Sequence, residues 1–121
     1  MALGDLMVVF SLLFVCLVVD GREIVVDIKN DLPIKTGTLL QVRCGEGFSN
    51  LPPGNHLKQS VSADKNLSCT ATWMQLFNSW DAFLAKTDQS HNTVFWSIRK
   101  DGFYRSFDGK DFKFVERWGT E

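Results

Sequence analysis

The chain has 121 residues, with 13 Lys and Arg against 14 Asp and Glu, two His and a formal net charge of −1. A balance this even gives no electrostatic case for nucleic acid or anionic membranes as partners. At this length, with no linker, repeat, low-complexity tract or charge block, the chain builds one domain around one modest core.

Residues 1–21 read MALGDLMVVFSLLFVCLVVDG. Leu6 to Val19 is apolar except for Ser11, and its 14 residues would make a helix of roughly 21 Å, short of the about 30 Å of a bilayer core. That length suits the apolar region of a secretory signal, with Gly21 and Val19 forming a cleavage site. A buried helix and a membrane anchor are the competing readings, and the usual basic flank is absent, with Asp5 there instead. A cleaved signal peptide over 1–21 is adopted, since an unpatterned β-branched run at the extreme N-terminus has little else to do. The mature domain, 22–121, then keeps all 13 basic residues and loses Asp5 and Asp20, leaving 13 against 12, or +1.

Along the mature chain, short apolar runs alternate with turn residues, as in all-β folds. Glu23–Lys29 (EIVVDIK) reads as a strand ending at the turn Asn30-Asp31-Leu32-Pro33. Thr38–Cys44 alternates, placing Leu40, Val42 and Cys44 on one face. Gly45, Gly47, Pro52, Pro53 and Gly54 mark a long loop. His56–Ser62 and Leu67–Trp73 read as two strands around Ala63-Asp64-Lys65-Asn66. Met74–Lys86 fits either an amphipathic helix or a loop followed by a strand at Trp80–Leu84, and the all-β surroundings favour the strand.

The last third is the clearest. Asp101-Gly102 and Asp108-Gly109 each separate alternating segments and predict type I′ hairpins, whose two central residues need positive φ. Val94, Trp96 and Ile98 share a face of the first strand; Phe103, Arg105 and Phe107 share one of the second; Phe112 and Phe114 share one of the third. The expectation is a three-stranded meander within a two-sheet antiparallel β-sandwich of about seven or eight strands. Four Trp and the eight Phe beyond the signal would supply its core.

Removing the signal also removes Cys16, leaving Cys44 and Cys69. In an oxidising compartment these two can form one bridge, without ambiguity of partner. Closing 25 residues would contribute roughly 3–4 kcal/mol, a large share of the about 5–10 kcal/mol of a small domain. Two separate buried thiols is the alternative. Asn66-Leu67-Ser68 is an N-x-[ST] acceptor, so export would also expose Asn66 to glycosylation.

The segments VDIKNDL, LLQVRC, LPPG, LSCTATW and FWSIRKDGFYRSF, in that order from Val25 to Trp118, resemble the plant self-incompatibility S-protein homologue family. That resemblance implies a secreted β-sandwich without catalytic residues, a ligand for the extracellular face of a membrane receptor, with self-pollen rejection as the founding role. One departure is plain. The family commonly has a C-x-x-C-x-W pattern late in the chain, where this sequence has His91 and Val94 ahead of Trp96. Cys44 and Cys69 are therefore either partners, the favoured reading, or widowed halves of two lost bridges.

Neither a thiol nucleophile (Cys44 or Cys69 with His56 or His91) nor a carboxylate pair from Asp81, Asp88, Asp101, Asp108 and Asp111 sits in a recognisable catalytic pattern. No catalytic residue, cofactor or metal site is expected, nor any membrane insertion of the mature chain. The expected function is extracellular recognition in the apoplast through loops 45–55, 62–66 and 86–92 and the two Asp-Gly tips. The alternative is an apoplastic carbohydrate-binding or defence protein, which would need Trp73 or Trp80 exposed for sugar stacking.

Overall fold

A computed structural model describes residues 22–34 and 39–120. The expected signal peptide, 1–21, lies outside the described residues. The strands in chain order are β1 Glu23–Asn30, β2 Leu40–Cys44, β3 Gly47–Leu51, β4 His56–Ser62, β5 Leu67–Trp73 and β6 Leu76–Phe83. A helical turn, α1 Ala85–Asp88, precedes β7 Thr93–Arg99, β8 Gly102–Ser106, β9 Lys113–Glu116 and β10 Gly119–Thr120. They form two five-stranded sheets, ordered β4-β1-β7-β8-β9 and β10-β6-β5-β2-β3. No helix among the described residues is long and apolar enough to cross a membrane.

The all-β sandwich matches expectation, with informative departures. The glycine-rich stretch read as a loop contains β3, which pairs with β2 from Leu40↔Leu51 to Cys44↔Gly47. Its turn residues confine themselves to the two ends of the strand. β4 and β5 keep their expected bounds but belong to different sheets, so 63–66 crosses the sandwich instead of closing a hairpin. Residues 76–83 form a strand because β5 supplies a full row of antiparallel partners, from Leu67↔Phe83 to Trp73↔Leu76. Every pair is antiparallel except β1 with β7, because the chain enters both from the same end.

The two Asp-Gly sites differ from type I′ hairpins. Arg99 pairs directly with Gly102, so the first loop is Lys100-Asp101. Gly102 is needed for space: an added Cβ would lie 2.5 Å from the Glu116 carbonyl oxygen and 2.7 Å from the Phe114 ring. Asp108-Gly109 lies inside a longer loop, 107–112, between β8 and β9. Another two-residue hairpin lies at Met74-Gln75, where Met74 takes φ 56°, the sole non-glycine at positive φ among the described residues.

The core is aliphatic at β1 and β2, through Ile24, Val26, Ile28, Leu40 and Val42, and aromatic toward the other end of each sheet. Trp80 meets Trp96 edge-on at 5.8 Å and Phe103 at 4.7 Å, Phe103 meets Trp118 at 4.8 Å, and Trp118 meets Trp73 at 6.2 Å. Aromatic rings thus join the two sheets with favourable tilted geometries. Of the eight Phe expected inside, only Phe83 and Phe103 are buried among the described residues. Trp96 Nε1 donates to the Ala82 carbonyl and Trp118 Nε1 to that of Arg99, while the buried Nε1 groups of Trp73 and Trp80 make no hydrogen bond.

Asn30 closes the sandwich at the end of β1. It is fully buried; its Nδ2 donates to the Leu51 carbonyl at 2.8 Å, and its Oδ1 accepts the Leu32 N–H at 2.9 Å. Only an amide supplies a donor and an acceptor in one short side chain. Asn30→Asp places a carboxylate oxygen against the Leu51 carbonyl and is expected to cost roughly 2–3 kcal/mol, checked by the midpoint of urea unfolding; an unchanged midpoint contradicts the latch.

Candidate functional site

The outer face of the first sheet carries the most unusual chemistry. Solvent-facing strand positions ordinarily hold polar residues, yet here Phe95 of β7, Tyr104 of β8 and Phe114 of β9 stand on that face, Phe114 being 50% exposed. Tyr104 and Phe114 are cross-strand partners, and their rings meet edge-on at 5.5 Å. The Arg99 guanidinium lies 4.1 Å from the centre of Tyr104 and 5.6 Å from that of Phe112. Tyr104 donates to Asp101 at 2.7 Å, and this bond pushes the phenol pKa up, so the ring remains a neutral donor.

Beside the aromatic patch runs a polar row. Asp27 of β1, only 6% exposed, accepts from or shares a proton with His56 Nδ1 of β4 at 2.7 Å. Asp31 pairs with Lys29 at 3.3 Å and accepts from Ser97, whose oxygen in turn accepts from Arg99 Nε at 2.9 Å. A pocket of about 200 Å³ lies among Asp27, Lys29, Asp31, His56, Phe95 and Phe112. The loop 107–112 forms its wall, with Gly109 resting on the Phe95 ring: an added Cβ would come within 3.3 Å of it.

On the far side of the same loop is a wider cleft of about 510 Å³, lined by His91, Arg105, Phe107, Asp111 and Lys113 among others. His91 stacks on Phe107 at 3.8 Å, and Arg105 lies 5.0 Å from the same ring. The wall between the two spaces is pinned by Asp108, whose Oδ1 accepts from the backbone N–H of Asp111, the N–H of Lys110 and the Ser106 hydroxyl. Those bonds hold its pKa down at about 2, against an ordinary 3.8.

The structure distributes the expected site residues widely. Cys44 and Cys69 are bonded, S–S 2.04 Å, and are direct cross-strand partners of β2 and β5, so the bridge lies within one sheet. Neither thiol is available to His56 or His91. Asp81 accepts from the Ser68 side chain, Asp101 from that of Tyr104, and buried Asp88 holds the Leu84 N–H and the Thr87 hydroxyl, so each of these carboxylates is engaged within the fold. Asn66 is exposed, and its Oδ1 accepts the Ala85 N–H at 2.9 Å. Trp73 and Trp80 are 4% and 3% exposed and offer no face to a sugar. The expected recognition loops divide: 62–66, 86–92 and 108–109 gather at the end where β1 starts, 101–102 lies at the other, and 45–55 spans both. The aromatic face escaped sequence reasoning because alternation marks two faces of β8 and β9 without saying which is inside.

The Asp108 linkage has a definite sign. A pKa lowered in the fold stabilises above the unfolded value of 3.8, and this contribution is lost as pH falls through about 2. Asp108→Asn keeps the acceptor but not the charge. It is expected to lower the unfolding midpoint at pH 6 and to match the parent at the acid end of that window; an equal deficit at both pH values would show that charge plays no part.

Comparison with known proteins agrees with the geometry. A solved structure described as one of the "SPH (Self-Incompatibility Protein Homologue) proteins, a widespread family of small, highly stable, secreted proteins from plants" superposes with TM-score 0.63 at 21% identity, covering 82% of this chain and 96% of that one. No curated protein matches the chain. The family model of plant self-incompatibility protein S1 matches residues 25–118, nearly all of the described domain. The chain is therefore a member of the plant self-incompatibility protein S1 family.

Proposed function

We propose that the protein is a secreted, non-enzymatic ligand that binds the extracellular face of a membrane protein through the outer face of its first sheet. Secretion accords with the description of the solved relative. The observation that carries the binding surface is the cluster of Arg99, Tyr104, Phe112 and Phe114 at partly exposed positions. Aromatic residues and Arg are enriched at protein interfaces and dominate their energetics. Self-pollen rejection, or a related exchange between cells, is the kind of process this would serve. The glycan-binding alternative loses its tryptophans to the core.

The test is binding of the labelled, secreted protein to intact plant cells. Saturable, protease-sensitive binding that falls by about tenfold or more in the Tyr104→Ala/Phe114→Ala double variant supports the reading. Unchanged binding by the variant, or displacement of the parent by soluble cell-wall glycans, overturns it.

Two covalent features belong to the same proposal: removal of residues 1–21 and a glycan at Asn66. The Asn66 oxygen is committed to Ala85, which leaves the amide nitrogen to carry a sugar. Intact mass of the secreted protein is expected to begin at Arg22, to drop on deglycosylation and to retain one disulfide. A mass fitting residues 22–121 with unmodified Asn66 would remove the glycan from the account.

A further inference from the structure

The described residues contain two buried acidic side chains, Asp27 and Asp88. They are satisfied very differently. Both oxygens of Asp88 hold donors of its own helical turn, the Leu84 N–H and the Thr87 hydroxyl. Asp27 lies in mid-strand on the outer face, between Lys58 and Phe95, and only its Oδ1 has a partner, His56. Its Oδ2 accepts nothing from the protein and faces the pocket of about 200 Å³. That oxygen is not among the fully buried unpaired atoms, so it keeps access to solvent at the pocket and can exchange a water for a ligand's donor. Lys29, which also lines the pocket, is engaged with Asp31 at 3.3 Å.

From this geometry we propose that the pocket receives a basic side chain, lysine or arginine, of the protein partner, with its cationic head on Asp27 Oδ2. The walls suit that occupant: the rings of Phe95 and Phe112 line the pocket, and aromatic faces attract cations. Charge suits it too, since the lining holds two carboxylates, Asp27 and Asp31, against one fixed cation, Lys29. This assignment rests on the recognition role proposed above and names the chemistry of the partner at one point of contact. The pocket adjoins the Arg99–Tyr104–Phe112 cluster, so one partner surface reaches both.

The test uses small probes, so it does not need the receptor. The ¹⁵N-labelled secreted protein is titrated with N-acetyl-lysine methylamide, the arginine equivalent, the uncharged norleucine equivalent and a methyl hexoside. Saturable shifts at Asp27, His56, Phe95 and Gly109 with a basic probe, and none with norleucine, support the proposal; the stronger basic probe identifies the side chain. Asp27→Asn is expected to weaken that probe about tenfold. Should that variant fail to fold, Phe112→Ala, at a partly buried wall, is expected to weaken it about threefold. No saturable shift, equal shifts with norleucine, shifts with the hexoside in place of the basic probes, or parent-like affinity in a folded variant overturns the proposal. Failure here with intact cell binding by the parent removes the pocket alone, whereas loss of cell binding removes the recognition role itself.

Discussion

The sandwich depends on a buried amide. Asn30 ends an interior strand of one sheet and holds the last carbonyl of an edge strand of the other, while the same side chain turns the backbone through Leu32. A β-sandwich of this size has few places where its sheets are tied by anything directional; apolar packing fixes the distance between sheets better than their alignment. The amide sets that alignment at one end. Backbone bonds from Asn30 N to Asn55 O and from Gly54 N to Asn30 O extend the same knot to the start of β4. Strand β1, between antiparallel β4 and parallel β7, is thereby locked at its exit.

The covalent and aromatic contributions divide in space. The disulfide staples β2 to β5 within the second sheet, where Cys44 and Cys69 already face each other. It therefore acts on the unfolded chain by closing a loop and does not join the sheets. That joining falls to the tryptophans, whose large rings cross the interior in contact with Phe103. Two indole N–H groups remain unpaired there, a cost accepted for filling the interior with rings.

With the tryptophans, Phe83 and Phe103 filling the interior, the other phenylalanines lie toward the surface. Phe48 at 51% exposure lies on an edge strand under Arg43, while Phe95, Phe112 and Phe114 collect on the outer face of the first sheet. The face is ordered: Arg99 is held over two rings and bonded through Ser97 to Asp31. Pre-arranged arginine and aromatic groups lose little conformational freedom on binding, which is the condition for a strong contact point. The loop 107–112 frames this face, and Asp108 keeps that loop in one shape.

The order of residues along the chain determined much of this protein by itself. Alternation in 40–44, 56–62 and 93–99 predicts strands because a pleated, half-buried strand requires a period of two. Five ordered motifs were enough to indicate the family, and the two cysteines beyond the expected signal left one intramolecular pairing to consider. Pairing partners were a different matter. Whether 47–51 is loop or strand, and 76–83 helix or strand, depends on β2 and β5 offering open hydrogen-bonding edges, and no local pattern records that. The faces of β8 and β9 were equally undecided, because phenylalanines stand on both and only the packing of Phe103 against Trp80 and Trp118 chooses the inner one. For the same reason Asp27 reads in sequence as an ordinary polar residue of a strand. Its place at the pocket exists only once His56, Phe95 and the β8–β9 loop are folded around it.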